Sequence, residues 1–82
     1  MKLTKKHIGG LYNTKESDGS WVYQLVDVQD GWLLFYTFNG KFWKERVGAH
    51  KDWQRFARPP WLRKDKQEGW EEAEDVDQGR FL

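Results

Sequence analysis

Few residues of this 82-residue chain are of the types that do covalent or acid–base chemistry, and their spacing does not assemble them. There is no cysteine, which excludes thiol nucleophiles, disulfides and thiolate metal sites. The two histidines, His7 and His50, stand in no HExxH-type spacing and read as surface residues. No serine lies in a GxSxG context, and no glycine pattern follows a strand to make a phosphate loop. Glu71, Glu72, Glu74 and Asp75 cluster, but as a solvated charge run rather than a poised acid–base pair. The expectation is a chain that is not an enzyme, with no cofactor and no metal.

Binding is the chemistry the residues do suggest. Lys41-Phe42-Trp43-Lys44-Glu45-Arg46 interleaves cations with aromatic rings, and Lys51, Trp53, Arg55, Phe56, Arg58, Trp61, Arg63 and Lys64 continue the pattern. Aromatic rings stack on unpaired bases whatever their identity, while Lys and Arg attract phosphate. On that reading Lys41, Lys44, Arg46, Arg55, Arg58, Arg63 and Lys64 contact nucleic acid. The competing reading is a protein partner, or a second copy of the chain, held on an exposed aromatic face made from Trp32, Tyr36, Phe42, Trp43, Trp53 and Trp61. It stands slightly ahead, because six Trp, five Phe and three Tyr exceed what phosphate binding requires. An aromatic cage for a methylated cation is a special case of it.

Net charge is +1, which conceals an asymmetry. Residues 1–66 carry 13 Lys/Arg against 7 Asp/Glu, a balance of +6, and residues 67–82 carry one Arg against six acids, a balance of −5. A basic body with an acidic tail raises the question of an anionic partner and of self-masking. No apolar run approaches the roughly 20 residues of a membrane span. The opening MKLTKKHIGG has no apolar h-region, so neither a secretory signal nor a membrane partner is expected, and a soluble cytoplasmic protein is.

The elements that must position these residues centre on Trp21 to Arg46. Three apolar runs are separated there by Asp30-Gly31 and Asn39-Gly40, dipeptides suited to type I′ hairpin turns because both central residues need φ > 0. Strands are expected at Trp21–Val28, Trp32–Phe38 and Lys41–Val47. The first of these changes phase near Val26, which marks a bulge or bend. The middle one is apolar on both faces and therefore needs cover on both sides. An earlier strand is expected at His7–Asn13, with a bend at Gly9-Gly10, then a polar loop from Thr14 to Ser20. Met1 to Lys6 reads as a frayed end. Trp53 and Phe56, three apart behind Asp52, suggest one helical turn. Arg58-Pro59-Pro60 is extended, and Trp61-Leu62 forms a last short strand or an anchor.

This order resembles an SH3-like small β-barrel, the architecture shared by Tudor-type and other reader or adaptor modules. The resemblance covers residues 6–62 and is one of architecture, with no family ligand-binding motif present. The expected fold is thus all-β: a small SH3-like barrel of about five antiparallel strands with one short helical turn. Residues 1–66 form the domain, and residues 67–82 form a loosely ordered acidic tail, in which Gly69 to Asp75 is a candidate helical turn with only Trp70 and Val76 to offer a core face. One face of the middle strand is left without an obvious cover, which is the main argument for a partner.

Overall fold

The computed structural model describes residues 2–14, 22–37, 40–49, 52–56 and 66–75. A 3₁₀ turn at Lys5–His7 leads into β1 (Leu11–Thr14), followed by β2 (Tyr23–Gln29), β3 (Trp32–Tyr36), β4 (Phe42–Arg46) and β5 (Trp53–Phe56). An α-helix, α1 (Lys66–Glu72), and a two-residue strand, β6 (Glu74–Asp75), come last. One mostly antiparallel sheet holds all the strands in the order β5-β1-β2-β3-β4-β6, with only β6 parallel to its neighbour. No ladder joins its two edges among the described residues, so the sheet is small and barrel-like but not closed.

Local sequence explains the meander. Asp30 at φ 51° and Gly31 at φ 83° form the two-residue turn that Asp-Gly favours, and Gln29 pairs with Trp32 across it. The next hairpin differs from expectation. Gly40 (φ 85°) donates its N–H to the Thr37 carbonyl, and the Thr37 N–H donates to the Lys41 carbonyl. That is the pattern of a three-residue connection with Gly40 in the left-handed position, not a two-residue I′ turn. Asn39 itself lies outside the described residues.

The phase change in β2 is a β-bulge. Leu25 pairs with Phe35 and Asp27 with Leu34, so Val26 is the extra residue. The bulge sets both Val26 and Asp27 on the face that carries Leu34, and it returns Val28 to the face of Leu33. Two buried clusters result. Leu3, Tyr12, Tyr23, Leu25, Leu33, Phe35 and Trp53 fill one face, while Val26, Leu34 and Phe42 lie on the other. Both faces of β3 are therefore covered, as its composition requires.

Two further expectations are corrected. Trp53–Phe56 is a strand, not a helical turn, because β1 offers a free edge: Leu11 to Thr14 pair with Phe56 to Trp53 in register. Four residues gain more from a ladder and a buried Trp53, whose ring centroid is 5.1 Å from that of Phe35, than from one isolated turn. The N-terminal segment is not frayed: Leu3 is buried, and the His7 N–H donates to the Thr4 carbonyl at 2.9 Å. The helix α1 packs on β3 and β4. The expected segments at 15–20 and 57–62 lie outside the described residues. No helix among the described residues is long and apolar enough to cross a membrane.

Candidate binding face

The face that carries Leu34 divides into a covered centre and an open end. At the centre, α1 reaches the sheet through Gly69, which is buried against Phe42 and Leu34. A Cβ at this position would lie 2.6 Å from Phe42 Cε1 and 3.0 Å from Leu34 Cδ2, so only glycine permits this approach. Trp70 and Ala73 extend the cover, and Tyr36 packs beside Phe42 with ring centroids 4.9 Å apart. The cover that the middle strand lacked in the sequence is supplied by the chain itself.

Asp27 sits beneath this helix, 5% exposed. Its Oδ2 accepts hydrogen bonds from the Trp70 indole N–H at 3.0 Å and from the Gln29 amide at 2.8 Å, and the Lys66 ammonium stands 3.9 Å from Oδ1. Burial pushes the carboxyl upward. The hydrogen bonds from Trp70, the Val28 backbone and Gln29, with the charge of Lys66, outweigh that and hold it below the ordinary aspartate value. The arrangement fastens α1 to the bulge of β2. Sequence reasoning read Asp27 only as a break in alternation. The signal that could have found it was a lone acid in an apolar strand and a lone Trp in a polar helix, two residues that need a polar partner when buried.

At the open end, by the Asp30-Gly31 turn, Trp32 is half-buried and two cations lie over its ring. The Lys44 Nζ is 5.0 Å and the Arg46 guanidinium carbon 4.5 Å from the ring centroid. Strand register causes this: Trp32 pairs directly with Arg46, and Leu34 with Lys44, so the three side chains share one face. The π-face orients two positive charges at one spot on a rigid hairpin. Two cations held together in this way attract an anion.

The other predicted contact residues divide clearly. Phe42 and Trp53 are core residues, each 4% exposed. Trp43 is half-buried on the opposite face, its ring edge-on to Tyr23 with centroids 4.8 Å apart. Tyr36 lies half-buried in the cluster under α1. Lys41 and Arg55 are exposed, but Arg55 stands on β5 with three strands between it and β4 in sheet order. Trp61, Arg58, Arg63 and Lys64 lie outside the described residues. Among the described candidates, the structure thus gathers Trp32, Lys44 and Arg46 at one spot.

Potential chemistry elsewhere is structural in character. The His7 Nδ1 accepts the Thr4 backbone N–H at 3.0 Å, which fixes the proton of the neutral ring on Nε2 and closes the first turn. Glu45 is wholly buried and faces Tyr23; burial, and then the charge of Glu45, push the Tyr23 phenol up to about 12. No group of three or more His, Cys, Asp or Glu among the described residues is placed to hold a metal ion. Comparison with protein-family models, with curated proteins and with solved structures finds no match to this chain.

Proposed function

We propose that this chain is a non-enzymatic binding module on an SH3-like small barrel, and that its Trp32 end engages single-stranded nucleic acid. The observation that carries the proposal is the placement of Lys44 and Arg46 over the Trp32 ring. A π-face flanked by cations serves bases and phosphates together. Strand order supports the SH3-like reading: β1 pairs with both β2 and β5, and a bulged β2 begins a meander through β3 and β4. The +6 balance of residues 1–66 agrees with an anionic ligand.

Recognition of a protein through an aromatic face has less to stand on. Phe42 and Trp53 are buried, and the cluster that holds Tyr36 and Phe42 is covered by α1. The half-exposed ring on the open end has cations beside it, which is not what an apolar peptide groove needs.

The test is fluorescence anisotropy of a labelled single-stranded oligonucleotide of roughly 15 nucleotides, titrated at low salt with the full chain. Trp32→Ala should weaken binding roughly 5- to 150-fold, the equivalent of one stacked base. Lys44→Gln with Arg46→Gln should weaken it further. Binding that is indifferent to all three substitutions, or that fails at low salt, would overturn the proposal, and a preference for an acidic peptide over the oligonucleotide would replace it with a protein ligand.

A further inference from the structure

Directly after α1 the chain joins the sheet. Glu74 and Asp75 form β6, which adds to the outer edge of β4 in parallel, with Glu74 beside Trp43 and Asp75 beside Lys44. In a parallel pair both strands advance the same way, so β6 runs along β4 from Trp43 to Lys44. The backbone register therefore places one acidic residue, Asp75, beside Lys44, a β4 cation that leans over Trp32, with Glu74 one position earlier beside Trp43.

What holds this strap is uneven. Its helical half is anchored by the Gly69 contact, by Trp70 and Ala73 against Val26, Leu34 and Phe42, and by the hydrogen bond to Asp27. Among the described residues its strand half is two residues long, and two such pairs contribute little ladder energy by themselves. A firm anchor followed by a weak acidic strand is the arrangement of a tethered competitor. The tether keeps the local concentration of acidic residues near Lys44 high, while the short ladder lets them exchange for another anion.

We infer that β6 is an intramolecular competitor for the cationic Trp32 site, which occupies the β4 edge in the free protein and yields when a polyanion binds. This rests on the binding reading proposed above and adds its regulation. Entry of a polyanion has to displace Glu74 and Asp75 from the β4 edge while α1 stays in place over the core. Anything that draws the acidic strand away, such as a basic partner segment, raises the affinity of the site.

The experiment compares two charge-neutralised pairs in the full chain. Glu74→Gln with Asp75→Asn removes two charges at the strap, while Glu71→Gln with Glu72→Gln removes two from the exposed side of α1. Both pairs change net charge equally. The strap pair should tighten oligonucleotide binding at low salt by roughly 3- to 10-fold, and the helix pair by less than about twofold. Equal effects of the two pairs, or none from the strap pair, overturn the inference.

A second readout needs no nucleic acid. Hydrogen exchange of the amides in the β4–β6 ladder is measured at low and at high salt. An electrostatically held strap loses protection as salt rises, whereas protection that is unchanged or increased contradicts it. If nothing binds the oligonucleotide yet the ladder opens with salt, the binding reading fails and the strap survives. If binding is strong and both strap readouts are flat, the strap fails alone.

Discussion

Asp27 and Gly69 show how much of the helix–sheet contact rests on single residues. Asp27 is a buried acid whose folded-state pKa lies below its unfolded value, because Trp70, Val28, Gln29 and Lys66 favour the charged form more than burial disfavours it. Its contribution is therefore present above the unfolded pKa of about 3.9 and disappears as pH falls through the lower folded value. Asp27→Asn should cost roughly 1–3 kcal/mol near neutral pH, the range for hydrogen bonds to a buried charge. It should also flatten the fall in stability below about pH 4, as read by denaturant melts across pH. Tyr23 has the opposite sign. With its pKa pushed up to about 12 from 10, it stabilises the fold below pH 10 and ceases to do so as pH rises toward 12. Absorbance titration should find this phenol ionising only with alkaline unfolding. At Gly69, alanine gains up to about 1 kcal/mol of helix propensity but meets Phe42 at 2.6 Å, and overpacking costs roughly 1–3 kcal/mol. Gly69→Ala should lower Tm, while Gly48→Ala, with nothing within 4 Å of the added carbon, should leave it within about 1–2 °C.

Among the elements, α1 depends most on its surroundings. Seven residues are too few for a helix that is stable alone, so α1 holds only while docked on Val26, Leu34 and Phe42. Native-state hydrogen exchange should show α1 opening at lower free energy than the amides of β2, β3 and β4, and Trp70→Ala should abolish its protection while the sheet persists. Protection of α1 equal to that of β3 would contradict this view. The meander, by contrast, was legible in the sequence, because its determinants are local. Asp30-Gly31 needs only its own backbone to make the turn, Val26 shows the bulge as a slip in alternation, and β3 announces two covered faces. What was not legible is non-local. Trp53 and Phe56 have a spacing that suits a helical turn, and only the edge of β1, far earlier in the chain, makes them a strand. The docking of α1 is carried by a glycine and one Trp, with no apolar stripe to mark it. The site was half legible: Trp32, Lys44 and Arg46 were all candidates, but only the register that pairs Trp32 with Arg46 gathers them and separates them from Arg55.

At the scale of the whole molecule, the folded chain separates charge by burial as well as by sequence. Asp27 and Glu45 are buried within the sheet, whereas Lys41 and Arg46 are exposed and Lys44 is half-buried at its surface. The acids of α1, Glu68, Glu71 and Glu72, are exposed on the helix that lies over the same sheet. Affinity for a polyanion should accordingly be governed by a few cations at the Trp32 end rather than by the net charge of +1. The most direct test is the dependence of oligonucleotide affinity on salt. The logarithm of the binding constant should fall linearly with the logarithm of salt concentration. The slope should shrink by roughly 1.5 when Lys44 and Arg46 are both replaced by Gln, at about 0.7–0.9 for each phosphate left without its cation. A slope unchanged by that double substitution, or no measurable binding at low salt, would contradict the account.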